Sequence, residues 1–289
     1  MTADDATVLV TGTSSGIGLA TAVAAAQAGF TTVATMREPG RAGALREAAE
    51  RAGVTVDVRR LDVTDAESVA ACIDDVEKAY GRLDAVVNNA GVSNFDPTME
   101  MSTMAALRAN LEVNFFGVVE VSRAAMPLLR AAGGRLVTIG SVHGVVGQPF
   151  NEAYCAAKFA VEGFMESLAP VAEAHGVRVS VIVPGFVKDT SFGRFPDIDR
   201  TTVQAASGPY APTFADYIDW VGGQGWEAVG QSAQDVADVV VRTLRADRPA
   251  FRVPTGPWAA EYLGQKLTDR NGSTVQTLAR TWIGRPESL

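Results

Sequence analysis

The stretch ATVLVTGTSSGIGLATAVAAAQAGF, residues 6–30, changes its periodicity once, and that change decides the fold class. An apolar, β-branched run over 6–12 ends in Gly12 and reads as a short strand. The alanine-rich stretch over 18–30, closed by Gly29, reads as a helix. Between them stands the turn Thr11-Gly12-Thr13-Ser14-Ser15-Gly16-Ile17-Gly18. A helix that begins after such a turn offers free N–H groups and the positive end of its dipole to a diphosphate, provided no β-carbon blocks the approach. Gly12, Gly16 and Gly18 meet that condition. The alternative is an ordinary glycine turn, but a strand before it and a helix after it are the context a dinucleotide site requires.

Outward from this unit the rhythm repeats. TTVATM (31–36) is a strand, 40–52 a helix and VTVDVRRLDV (54–63) a third strand, followed by Thr64-Asp65-Ala66-Glu67, which reads as a capping box with Thr64 as the cap. LDAVVNNAG (83–91), GRLVTIGS (134–141) and VRVSVIVPG (177–185) are further strands, separated by long helices over 102–131 and 152–175; Pro170 is expected to kink or end the second of these. Strands alternating with helices of this length pair in parallel through crossovers, and near-continuous apolar strands mark a sheet covered on both faces. The fold class is therefore α/β, a doubly wound parallel sheet, in one domain over 1–289. After Gly185 the rhythm breaks. Residues 186–229 carry Phe186, Phe192, Phe195, Tyr210, Phe214, Tyr217, Trp220 and Trp226, and read as an aromatic-rich substrate lid, with a dimer contact or simple self-packing as the alternatives. A capped helix starts near Ser232, AFRVP (250–254) is a candidate edge strand, and 256–289 is a C-terminal extension, partly helical with a loose tail.

Composition narrows the function. With 289 residues, 47% of them hydrophobic, the chain can bury a large core, and a net charge of -8 argues against sequence-independent binding to nucleic acid or anionic lipid. Cys72 and Cys155 both fall in helix-like stretches, so neither a disulfide framework nor a metal site is expected. The start MTADDATVLVTG lacks a basic segment and an apolar core, and no long uncharged apolar run follows, which points to a soluble cytoplasmic protein without a membrane partner.

EAYCAAKFAV (152–161) places Lys158, one of four lysines, one helical turn after Tyr154. A phenol with a pKa of about 10 exchanges protons poorly at neutral pH, and an adjacent cation lowers it. Ser141 ends the fifth strand, where ligands of open α/β sheets bind; its hydroxyl can polarise a carbonyl oxygen or cap a helix. Asn114 can brace a proton-carrying water or serve as a buried hydrogen-bonding side chain. His143 is either a substrate contact or a loop histidine with no catalytic task. About 20 residues after the glycine turn, where a carboxylate would hold the ribose 2′-hydroxyl of NAD, stand Met36 and Arg37. Arg37 can accept a 2′-phosphate, with Ser14 and Arg41 as further contacts, so NADP(H) is favoured; the alternative is a solvated loop arginine.

These residues together resemble the short-chain dehydrogenase/reductase family, in the branch marked by TGxxxGxG, NNAG, a serine and YxxxK. The matches are Thr11 to Gly18, Asn88-Asn89-Ala90-Gly91, Asn114, Ser141, Tyr154, Lys158 and Pro184-Gly185, over about the first 190 residues. The resemblance implies a Rossmann fold with Tyr154 as the acid/base. Lys158 would bind the nicotinamide ribose and lower the phenol pKa, Ser141 would orient the substrate oxygen, and Asn114 would complete a proton relay. It also implies adenine contacts from Asp62 and Val63, with loop bracing as the alternative for Asp62. Asn89, Ala90 and Gly91 would lie beside the cofactor, as would Thr13, Ser15 and Ile17 of the turn. PGFVKDT (184–190) has one residue more than the family's PGxVxT, leaving Val187 and Thr190 as candidates for the carboxamide contact. The run over 140–169 resembles the branch of 17β-hydroxysteroid and retinol dehydrogenases. The activity this implies is that of an NADPH-dependent reductase of a hydrophobic ketone or aldehyde, steroid-like or polyketide-like, or the reverse alcohol dehydrogenase, assembled as a homodimer or homotetramer. Ser141, His143, Tyr154, Phe186 and Phe192 are the candidate substrate contacts. An epimerase or dehydratase using transient hydride transfer, and a non-catalytic NADP(H) sensor, are the alternatives.

Overall fold

Side chains alternate across a strand, so one face of the central strands presents Val8, Val10, Val87, Val137 and Ile182 and the other Leu9, Val86, Leu136 and Val181, and both sets are buried. The computed structural model describes residues 6–93, 97–190, 200–223 and 230–284. Its strands are β1 (Thr7–Thr11), β2 (Thr31–Met36), β3 (Asp57–Arg60), β4 (Ala85–Asn88), β5 (Arg135–Ile139), β6 (Arg178–Val183) and β7 (Arg252–Pro254). All pair in parallel in one seven-stranded sheet of order β3-β2-β1-β4-β5-β6-β7. The order reverses between β1 and β4, and a crevice opens there at the carboxyl ends of the strands. The architecture is the expected Rossmann-type α/β sheet, including the edge strand at 252–254.

Both faces are covered. On one lie α1 (Gly16–Gln27), α2 (Gly43–Arg51) and α9 (Ala233–Arg245), whose Val236, Val239, Val240 and Leu244 meet the valines of the sheet. On the other lie α3 (Ala66–Tyr80), α5 (Gly117–Ala132) and α6 (Glu152–Glu173), with Ile73, Val121, Leu129 and Met165 in the core. Buried Arg135 on β5 donates to the carbonyls of Leu244 (2.8 Å) and Ala246 (2.5 Å), satisfying acceptors that the end of α9 leaves open.

The structure differs from the sequence reading in three places. The helix over 102–131 is interrupted: α4 (Met104–Leu111) passes through a π-helical segment, Glu112–Phe116, before α5 begins. The N-cap of α3 is Asp65, not Thr64. Its carboxylate accepts from the backbone N–H of Glu67 and Ser68, while the Thr64 hydroxyl donates to Asp62. Both bonds go to Asp65 Oδ1, at 3.1 Å each, and the negative charge of the carboxylate favours it over a hydroxyl at the start of a helix. Pro170 lies within α6 and does not end it; the missing donor falls in the last turn, which Ala174 N–H closes on the Pro170 carbonyl at 3.2 Å. The extension after 256, read as partly helical, holds two packed helices, α10 (Pro257–Thr268) and α11 (Ser273–Trp282).

Within 186–229, α7 (Arg200–Ala206) leads through a short 3-10 turn to α8 (Ala211–Gly223). Phe214 and Tyr217 of α8 are fully buried against Phe150, at 5.2 and 5.6 Å between ring centroids. Phe192, Phe195, Trp226 and the tail beyond 284 lie outside the described residues. Among the described residues, no helix is long and apolar enough to cross a membrane, no cluster of three or more His, Cys, Asp or Glu is placed to hold a metal, and both cysteines are buried thiols.

Candidate active site

The turn after β1 is tied to the end of β4 by side-chain to backbone bonds. Asn89 Nδ2 donates to the carbonyls of Thr11 (2.9 Å) and Gly12 (3.1 Å), and Thr11 Oγ1 accepts from the N–H of Asn89 (2.9 Å) and Ala90 (3.0 Å). This closeness fixes two of the glycines. A Cβ at Gly18 would lie 2.2 Å from the Gly12 carbonyl oxygen and 2.3 Å from Asn89 Nδ2; at Gly12, where φ is +71°, it would lie 2.7 Å from Ala90 Cα. The glycines are thus needed by the protein's own backbone as well as by an approaching diphosphate. Helix α1 starts at Gly16 behind Ser15, with no side-chain cap and no acidic residue in its first turn. Its first amides remain without a side-chain partner and face the crevice. Thr13 does not: it is buried, and both its N–H and its hydroxyl donate to the Thr35 carbonyl (3.0 and 3.1 Å), so it anchors the turn to β2.

A cleft of about 830 Å³ runs from this turn across the carboxyl edge of the sheet. Ser14, Ser15, Gly16, Ile17 and Gly18 line its start, with Arg37 and Arg41 on one side and Asp62 and Val63 beyond them. Arg37 is exposed and lies 3.9 Å from the Glu38 carboxylate. Asp62 lines the cleft and also braces its loop, accepting from Thr64 N–H (3.0 Å) and hydroxyl (2.8 Å). Asn89, Ala90 and Gly91, then Pro184, Gly185, Phe186, Val187 and Thr190, form the next stretch of wall. Thr190 stands over the glycine turn, its Cγ2 3.2 Å from where a Cβ on Gly16 would be.

Farther along the cleft, Ser141, His143, Tyr154 and Lys158 come together. Ser141 caps a 3-10 turn over Val142–Gly144, its Oγ accepting from His143 N–H at 3.1 Å, and it also hydrogen-bonds the Tyr154 phenol. Burial pushes that phenol well above its usual pKa, and the Ser141 hydrogen bond opposes the rise. Lys158 Nζ is 5.7 Å from the Tyr154 ring centroid and donates to the Ile139 carbonyl at 2.9 Å; burial lowers its pKa to about 8. The pair is adjacent, as the i,i+4 spacing requires, with the Lys158 ammonium beside the phenol ring.

Asn114 is not at the cleft. It sits fully buried in the π-helical segment, where Nδ2 donates to Val92 O (2.8 Å) and Asn110 Oδ1 (2.7 Å) and Oδ1 accepts from Val92 N–H (3.0 Å). Both amide protons are committed, so the side chain holds the chain at Val92, beyond the end of β4. His143 has its Nδ1 3.2 Å from the Val146 carbonyl, which places the ring proton there and leaves Nε2 as an acceptor. Burial lowers its pKa to about 4, so the ring is neutral.

Of the far wall the sequence reading named only Trp220, as part of the expected lid. Trp258 and Tyr262 stack at 5.0 Å, Tyr262 and Trp282 at 6.3 Å, and Trp282 and Trp220 at 5.2 Å, all four lining the cleft. Gln148 and Asn151 line the same end; Gln148 Nε2 donates to the Tyr217 hydroxyl at 2.7 Å and Asn151 Nδ2 to Gln148 Oε1 at 2.8 Å. The available signal was the Trp258–Tyr262 spacing of one helical turn.

The family model for short chain dehydrogenase matches residues 6–196. Bovine (Bos taurus) retinol dehydrogenase 8 is 37% identical over 281 residues, covering 92% of this chain and 86% of the relative. Human (Homo sapiens) 17-beta-hydroxysteroid dehydrogenase type 1 is 35% identical over 284 residues, covering 93% and 83%. Among solved structures, a short-chain dehydrogenase from Streptomyces avermitilis superposes with a TM-score of 0.74 at 28% identity, over 98% of each chain. An alcohol dehydrogenase from the archaeon Thermococcus sibiricus, complexed with 5-hydroxy-NADP, superposes with a TM-score of 0.69 at 26% identity, over 86% of this chain and 95% of that one.

Proposed function

Because the chain belongs to the short-chain dehydrogenase family, we propose that it is an NADP(H)-dependent carbonyl reductase, or the reverse alcohol dehydrogenase, acting on a hydrophobic ketone or aldehyde of steroid-like or polyketide-like character. The observation that carries this reading is the Ser141–Tyr154 hydrogen bond beside Lys158, in the cleft that the glycine turn opens.

The residues present fit a dinucleotide. Side chains at Gly12 and Gly18 would fill the cradle, the first turn of α1 is uncapped, and Arg37 and Arg41 line the same cleft as cations that could take a 2′-phosphate. When bound, the nicotinamide supplies the hydride. Ser141 orients the carbonyl oxygen, and Tyr154, held in its acid form by burial, transfers its phenolic proton to that oxygen as negative charge develops there. Lys158 holds positive charge behind the phenol ring and stabilises the phenolate left after transfer. Asn114 acts as a positioning residue through Val92. Phe186, Trp220 and Val221 form the part of the lid that reaches the cleft, and with Trp258 they give an apolar, flat-walled space.

The exposed rings of Phe116, Phe159 and Phe164, on the π-helical segment and α6, support assembly as a homodimer or homotetramer.

Tyr154→Phe is expected to keep NADPH binding and lose roughly 100- to 10,000-fold of ketone turnover. The measurement is NADPH absorbance against ketones of increasing size, with NADH in parallel. Full turnover by a folded, cofactor-binding Tyr154→Phe protein would remove the phenol from the mechanism.

A further inference from the structure

Among the described residues, five buried side-chain atoms lack a hydrogen-bond partner, and three of these belong to residues that line the cleft: Tyr262 Oη, Trp282 Nε1 and Asn151 Oδ1. Buried hydroxyl and indole N–H groups in folded proteins almost always find a partner. Tyr262 and Trp282 are only 6% and 4% exposed, yet both line the cleft. Their rings lie nearly parallel, 11° apart, and the ring of His143 stands edge-on to each, at 6.2 and 6.5 Å.

We propose that Tyr262 and Trp282 are specificity-determining residues that hold a neutral hydroxyl of the substrate, distinct from the carbonyl that Ser141 and Tyr154 hold. This rests on the carbonyl-reductase reading above. The chemistry of the set selects the ligand group. Trp282 Nε1 only donates, Tyr262 Oη donates and accepts, and His143 Nε2 and Asn151 Oδ1 only accept. A hydroxyl can accept from Trp282 and Tyr262 and give its one proton to His143 Nε2 or to Asn151 Oδ1, and so serves both kinds of group. A carboxylate meets only the donors and would face two acceptors without a cation. Lys158 is committed to the Ile139 carbonyl, and Arg37 and Arg41 line the glycine-turn side of the cleft. The stacked rings match a flat molecule carrying that hydroxyl. Both residues lie on α10 and α11, beyond the 6–196 span shared across the family, which is where a feature particular to this chain's substrate belongs.

The test compares 2-tetralone with its 5-, 6-, 7- and 8-hydroxy derivatives and with the carboxylate analogue of the best of them, all with NADPH. Wild-type protein is expected to favour the best hydroxytetralone over 2-tetralone by about 10-fold or more in kcat/KM, and to disfavour the carboxylate. Tyr262→Phe, which keeps its ring and removes the hydroxyl, and Trp282→Phe, which keeps an aromatic ring and removes the N–H, are each expected to bring the hydroxy-to-parent ratio to within about 2-fold of unity. No preference in the wild type, or a preference that survives both substitutions, overturns the proposal. Should wild type reduce none of these ketones, the carbonyl-reductase reading fails for them. Calorimetric binding of the same compounds to the NADP-saturated protein then decides the hydroxyl site by the same ratio. If Trp282→Phe does not fold, judged by circular dichroism and NADPH binding, Tyr262→Phe decides alone.

Discussion

Between Gly12, Gly18 and Asn89 the backbone is packed so closely that a single methyl group would fall 2.2–2.3 Å from its neighbours, whereas Trp258, Tyr262, Trp282 and Trp220 meet only through ring faces with centroids 5.0–6.3 Å apart. The first region is held by directed hydrogen bonds from Asn89 and Thr11, which tolerate little change in distance or angle. The second is held by dispersion and area burial, which are not directional and survive a shift of a few tenths of an ångström. One cleft thus has a stiff end and an adaptable end. A cofactor whose shape never varies suits the first, and a substrate that differs between relatives suits the second.

The most severe challenge to this contrast is Gly18→Ala. We expect it to destabilise the protein by more than about 3 kcal/mol, at or beyond the upper range for forcing volume into a packed site, and to abolish NADPH binding. Urea unfolding and fluorescence titration measure the two effects. A variant as stable as wild type would show that the turn yields as readily as the aromatic wall.

His143 probes the contrast from the other end, because it lies against that wall. Its pKa falls from 6.5 to about 4 on folding because burial disfavours the charged ring. A base with a depressed folded pKa contributes stability that is present above about pH 6.5 and lost as pH falls through about 4. Between pH 7 and 4, wild type should therefore lose roughly 3 kcal/mol more than His143→Phe, read from urea midpoints across that range. Parallel profiles would show that the wall opens to water and solvates the ring.

The smallest expected effect concerns the exposed rim of the stiff end. Arg37→Ala should weaken NADPH binding by about 10-fold and NADH binding by less than about 2-fold. Equal losses for the two cofactors would make Arg37 a general surface cation, held by Glu38.

Legibility in the chain alone divides along the same line. Gly12, Asn89, Tyr154 and Lys158 act through short fixed spacings beside recognisable strands and helices, so their placement was legible, and so was the parallel sheet that carries them. The packing of Asn114 was not legible, because helical periodicity does not show that Glu112–Phe116 is π-helical or that Val92 takes up the amide. Lys158 was read as the group that acidifies Tyr154. Burial cannot be judged from spacing, and it is burial that sets both groups. The wall was illegible for a different reason. Trp220, Trp258 and Trp282 come from three helices far apart in sequence, and stacking between them leaves no local pattern.

One contact joins the two ends. A methyl group on Gly185 would lie 2.7 Å from the Trp258 ring, so the indole rests directly on bare main chain where the sixth strand leaves the sheet. Grafting the last two helices of this protein onto a related scaffold would therefore carry a hidden requirement. The recipient must have glycine at that place, or the transplanted tryptophan will be lifted off its seat and the new pocket will not close.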